Sequence, residues 1–190
     1  DITVEAVNRD TMHLPLDGEI AGPSVLRVQI LLDRIRFSPG IIDGRWGKNT
    51  EKAVYWIQKR EGLEATGIVD QATLDRMVEL GDAPQSWIAA YSLTEDDVAG
   101  PFVDIPSDIY EKAELDRLGY ESLMEKLSET FHTTPELLQK LNPDVTFDSL
   151  TAGTTIQVPN LDGTAPALDA NVAQLAISEK GFYVHALDST

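Results

Sequence analysis

Gly40-Ile41-Ile42-Asp43-Gly44-Arg45-Trp46-Gly47-Lys48-Asn49-Thr50 places three glycines, a tryptophan and five polar or charged side chains between two segments of helical spacing. Glycines at 40, 44 and 47 permit positive φ, and Asp43 can accept hydrogen bonds from the amides of the turn that follows it. The stretch is therefore expected to be a rigid loop that presents side chains. Arg45 and Trp46 are the first candidates, because an indole face beside a guanidinium suits a sugar ring or a carboxylate-bearing peptide. The alternative is that Trp46 folds inward and plugs the end of a helical core. On the residues alone both remain open.

Before the loop, Val25, Val28, Leu32 and Ile35 follow helical spacing, and Pro23 with Ser24 signals a start, so a first helix is expected from about Ser24 to Arg36. After it, Thr50, Ala53, Val54 and Ile57 fall at i, i+3, i+4 and i+7, and Gly62 supplies a stop. A third helix begins at Asp70, presents Leu74, Met77 and Val78 on one face, and ends at Gly81. Three short amphipathic helices can close one small core. Pro39-Gly-Ile-Ile-Asp43 is echoed by Thr66-Gly-Ile-Val-Asp70, each ahead of a helix and each with an Asp placed for a helix entrance. Residues 1–23, with Pro15, Gly18, Gly22 and Pro23 and no sustained period, read as an extended leader.

The chain holds 190 residues, enough for two small domains, and its 42% hydrophobic content places it among globular proteins. Fifteen Lys and Arg against 32 Asp and Glu give a net charge of -17, which repels nucleic acid and anionic lipid over most of the surface. With no cysteine, disulfides, thiolate metal sites and cysteine nucleophiles are excluded from this chain. His13, His132 and His185 show no helical metal-pair spacing, and Glu95-Asp96-Asp97 lacks the alternating ligands of a calcium loop, so neither metal nor other cofactor is expected. Apolar runs are too short to span a membrane, and the first residues have no signal-peptide pattern. A mature, exported chain is compatible with that, because a leader removed on export leaves no trace.

The second half reads as strand, helices, strand. Ile88–Leu93 is an expected strand, Thr94–Asp97 a turn, and Pro106 to about Leu118 an inserted helix. Helices follow at Ser122–Phe131 and Pro135–Leu141, with Thr134-Pro135 as start and Asn142-Pro143 as stop. Thr154–Val158 alternates as a short strand closed by Pro159. Residues 161–171 read as a linker, and Val172–Ile177 with Phe182–Leu187 as a hairpin within 172–190.

The run from Val28-Gln29 through Ser38-Pro-Gly40, Ile42-Asp43-Gly44-x-Trp46-Gly47, Thr50 and Ala53-Val54 to Gln58, Gly62-Leu63, Thr66-Gly67-x-Val69-Asp70 and Thr73-Leu74 resembles the three-helix peptidoglycan-binding domain of cell-wall enzymes. The resemblance covers roughly residues 24–81. It implies a non-catalytic module that holds an enzyme on the wall, with Asp43, Arg45, Trp46 and Asn49 as ligand-binding residues carried over from the family's loop.

Within residues 86–160, Leu127–Pro143 and Leu150–Pro159 look like the latter part of a LysM domain, which implies a strand-helix-helix-strand fold and glycan binding. Here an inserted stretch replaces that family's short first link. The final hairpin is similar to the first strands of an L,D-transpeptidase catalytic domain. That enzyme needs a cysteine, so this chain is not expected to be an enzyme and would stop before the catalytic machinery.

The reading is thus an α+β chain: a three-helix bundle, a LysM-like unit with an inserted helix, and a C-terminal β-hairpin. Its expected partner is peptidoglycan, through glycan strand or stem peptide, with no nucleic acid, no membrane insertion and a monomeric state. Its expected location is the periplasm or cell wall. Two other classes compete: a peptidoglycan hydrolase using paired carboxylates, and an envelope protein-interaction module.

Overall fold

A computed structural model describes residues 1–9, 11–18, 20–162, 172–181 and 183–187. Residues 1–23 are more than an extended leader. They open with helix α1 (Val4–Asn8), whose Thr3 side chain accepts the Ala6 amide at 3.2 Å, and they bury Val7 completely. Arg27 pins this helix. It is 2% exposed, and its guanidinium donates to the carbonyls of Val7 (2.7 Å), Ala6 (2.8 Å) and Thr11, at the end of a helix where carbonyls lack intrahelical partners. An arginine inside a helical stripe, with no carboxylate near it in sequence, is what ties the leader down.

Helices α2 (Pro23–Arg34), α3 (Lys48–Arg60) and α4 (Gln71–Gly81) form the bundle within a residue or two of the expected bounds. Val25, Val28, Leu31 and Leu32 of α2 meet Ala53, Val54 and Ile57 of α3 and Leu74 and Met77 of α4 in one core, closed by Leu16, Trp46 and Val69. Asp70 caps α4 by accepting the Thr73 amide at 2.8 Å. Gly81 packs so closely that a Cβ there would lie 2.6 Å from Ile35 and 2.8 Å from Leu31. The left-handed turn after it is made by Asp82, at φ 49°.

Strand β1 (Ile88–Ser92) pairs antiparallel with β2 (Thr155–Pro159), from Ile88 opposite Pro159 to Ser92 opposite Thr155. Between them lie α5 (Glu95–Val98), α6 (Ile109–Ala113), α7 (Leu123–Thr130) and α8 (Pro135–Leu141). The two strands thus enclose a run of four helices, where two helices and one inserted helix were expected. The expected turn at Thr94–Asp97 is instead the start of α5, because Thr94 and Asp97 cap each other reciprocally. The inserted helix shrinks to the five residues of α6, begun by Asp108 and bearing Ile109 and Tyr110 largely exposed. With no apolar stripe buried, little sustains a longer helix. Asn142, 5% exposed, ends α8 and pairs with β2: its Oδ1 accepts the Gln157 amide at 2.7 Å and its Nδ2 donates to the Gln157 carbonyl at 2.8 Å.

The two modules are joined through a shared core. Val7, Leu26, Ile30 and Ile42 from the first pack with Ile88, Leu137 and Leu141 from the second. Ile42 donates its amide to the His132 carbonyl at 2.8 Å, and the Thr133 hydroxyl donates to the Ile42 carbonyl at 2.7 Å. Arg34 donates to the carbonyls of Asp82 (2.9 Å), Asn160 and Asp162. Strands β3 (Gln174–Ser178) and β4 (Tyr183–Leu187) pair antiparallel. Most of the expected 161–171 linker lies outside the described residues.

Candidate functional site: the loop entering α3

Gln29 builds this loop. It lies on α2, 1% exposed, with its amide aimed at the turn. Its Oε1 accepts the amides of Gly44 (2.8 Å) and Asp43 (3.2 Å), and its Nε2 donates to Asp43 Oδ1 (3.1 Å), the Arg45 carbonyl (3.0 Å) and Thr50 Oγ1 (3.4 Å). One buried amide thus serves several polar groups that would otherwise be stranded away from water. Asp43 adds a turn of its own by accepting the Arg45 amide at 2.8 Å. Gly44 supplies φ 73°, and Ile2 lies where a Cβ would go.

Asp43 does not cap α3. Gly47 is the residue at the cap position, and it offers no side-chain hydrogen bond. Trp46 is turned inward: it is 9% exposed, packs in the three-helix core, and its amide donates to the Ile20 carbonyl at 2.8 Å. The indole therefore offers no open face for stacking, which corrects its assignment as a ligand platform. Exposed aromatic surface on this module comes instead from Tyr55 and Trp56 on α3, whose rings meet edge to face at 5.5 Å with the Lys59 ammonium 5.2 Å from the indole centroid.

The other three candidates are brought together. Asp43, Arg45 and Asn49 line a groove of about 290 Å³ with Ile41 and Lys48. Arg45, Lys48 and Asn49 are exposed, and Asp43 is half-buried because Gln29 and the Arg45 amide hold its carboxylate. The groove offers two cations, an amide and an apolar shoulder at Ile41, a set that can meet carboxylates, acetamido groups and hydroxyls. Sequence reasoning assigned no role to Gln29 or Lys48. The signal for Gln29 was a polar residue inside the apolar stripe of α2. Lys48 had none, since only the fold turns the first residue of α3 toward the groove.

Among the described residues no group of three or more His, Asp or Glu could hold a metal ion, and no helix is long and apolar enough to cross a membrane.

Residues 21–77 match the family model of the peptidoglycan binding domain, which supports peptidoglycan binding by this helical module. The match spans α2, α3, most of α4 and both loops between them, under a third of the chain. No curated protein matches the chain.

Proposed function

We propose that the three-helix module binds peptidoglycan in the groove beside the Gln29-pinned loop, and that the chain is a non-catalytic anchor for a cell-wall enzyme. The observation that carries this reading is the convergence of Asp43, Arg45 and Asn49 on one groove at the centre of the matched stretch 21–77. Arg45 and Lys48 supply local positive charge in a chain of net charge -17, so a ligand with carboxylates is drawn to this face while nucleic acid is repelled elsewhere. Asn49 adds a donor and an acceptor for an amide or hydroxyl.

The strand-helix-helix-strand unit is a second, LysM-like glycan contact, and two weak contacts on one chain gain through effective concentration. The attached enzyme is an L,D-transpeptidase whose first strands are β3 and β4; its nucleophile lies elsewhere, since this chain has no cysteine. The chain works as a monomer in the periplasm or cell wall.

Sedimentation with insoluble peptidoglycan tests the reading. The wild-type chain is expected to co-sediment at moderate salt, and Arg45→Ala with Asn49→Ala to lower retention at least fivefold without a change in thermal midpoint. Release of soluble muropeptides would show a hydrolase instead. Absence of retention would favour the protein-interaction class.

A further inference from the structure

A second cavity, about 580 Å³, opens between the two modules. Its walls are the end of α2 with Asp33, Arg36 and Ile41 on one side, and the end of α7 with Ser128, Glu129 and His132 on the other. The two walls are built alike. After α2, the Phe37 amide donates to Leu32 and the Arg36 amide to Asp33, both at 2.9 Å; after α7, the Thr133 amide donates to Ser128 at 2.8 Å and the His132 amide to Glu129 at 3.1 Å. Both are helix ends in which one residue turns left-handed, a place glycine usually takes. Here that residue is Arg36 at φ 62° and His132 at φ 50°. Each carries a steric cost that glycine would avoid, and each lines the same cavity.

Two charged side chains on the cavity rim, the exposed Arg36 guanidinium and the exposed Glu129 carboxylate, make no hydrogen bond or ion pair among the described residues, whereas Ser128 Oγ is sealed off from the cavity in a residue 4% exposed. His132 is already oriented: its Nδ1 lies 2.8 Å from Asp33 Oδ2, so Nδ1 carries the proton toward the carboxylate. The junction is otherwise closed by apolar packing around Ile42, so the cavity is a specific opening in a packed interface.

We infer that this inter-module cavity is a ligand subsite for a zwitterionic peptide end. A carboxylate meets Arg36, and an ammonium meets Glu129 with Asp33 behind it. The C-terminus of α7, negative at its pole, adds to the preference for an ammonium beside Glu129. Ile41 lines both this cavity and the groove at Asn49, so one ligand can extend across it from groove to cavity. The inference rests on the peptidoglycan reading and deepens it: the cavity takes the stem peptide, while the groove takes the adjoining part of the polymer.

The test is a titration of the full chain with a soluble disaccharide-peptide muropeptide bearing a free ammonium and a free carboxylate, followed by amide chemical shifts and calorimetry. The expected result is shifts at Gly40, Ser128 and His132. Arg36→Gly is expected to hold or raise the thermal midpoint while lowering affinity at least fivefold, a split that a purely helix-capping arginine would not produce. Glu129→Gln should weaken the free-amine muropeptide about threefold and leave its N-acetylated form unaffected. Shifts confined to residues 43–50, or wild-type affinity in both variants, would overturn the subsite while retention on insoluble peptidoglycan left the broader reading standing. Failure of both retention and titration would overturn both.

Discussion

Gln29 in α2 and Gln58 in α3 hold two successive loops in the same way, yet the loops differ in what they display. Gln58 Oε1 accepts the Gly67 amide at 2.8 Å, as Gln29 accepts Gly44, and its Nε2 donates to Thr66, Ile68 and Thr73, as Gln29 reaches Asp43, Arg45 and Thr50. Thr66 Oγ1 accepts the Ile68 amide where Asp43 accepts Arg45. Val69 and Trp46 both turn into the core and donate their amides to the leader, at Leu16 and Ile20. The equivalences are thus Gly67 with Gly44, Val69 with Trp46 and Asp70 with Gly47. The sequence echo that aligned Gly40 with Gly67 is real as a repeat but four residues out of register. The comparison teaches that the turn is scaffold, and that the first loop differs in its extra residues before Asp43 and in its polar display.

The largest expected effect concerns the core positions. Trp46→Ala should destabilise by about 3–5 kcal/mol, measured by urea unfolding. A change within about 0.5 kcal/mol would mean that the indole is not part of the core.

Next come the glutamines. Gln58→Ala and Gln29→Ala should each lose about 2–4 kcal/mol, because each strands buried donors and acceptors. At a temperature where both variants remain folded, only Gln29→Ala should lose retention on insoluble peptidoglycan. Equal loss would show that the loop entering α4 also carries ligand.

A smaller effect separates the caps by pH. Hydrogen bonds from the Thr73 side chain, then from its backbone amide, hold the Asp70 carboxyl below its ordinary value. Its folded value lies below its unfolded value, so the stabilisation is present above about pH 4 and fades as pH falls toward the folded value. Asp70→Asn, which still caps, should stay near wild type at pH 7 and show a shallower loss of urea midpoint between pH 5 and 3. An unchanged slope would remove Asp70 as a source of acid sensitivity. Gly47 sits at φ -135°, and a Cβ added there would meet open space, so Gly47→Ser should add a cap and raise stability by a few tenths of a kcal/mol, read as a higher urea midpoint.

How much was legible follows from the range of the forces involved. The three helices of the bundle and the start of α8 could be read because periodic apolar residues, Thr134-Pro135 and Asp70 act over a few positions. The shortfall at α6 and the short α5 came from elements that bury no residue, where periodicity has nothing to report. At the site, Arg45 was proposed from its type beside an indole and Asn49 from the family resemblance, and both line the groove. Trp46 was not decidable, since an aromatic residue in a glycine-rich turn fits either face until the turn is anchored.

By itself, the sequence determined where helices start and stop, that no thiol chemistry is possible here, and that one glycine-rich loop carries concentrated polar chemistry. Tertiary structure alone decided that Gln29 and Gln58 are the paired anchors, that Arg27 makes the leader part of the fold, and that Ile42 welds the two modules around a cavity. Helix boundaries depend on neighbours along the chain, whereas burial depends on what packs across it, and a side chain's partner twenty or ninety positions away has no local trace.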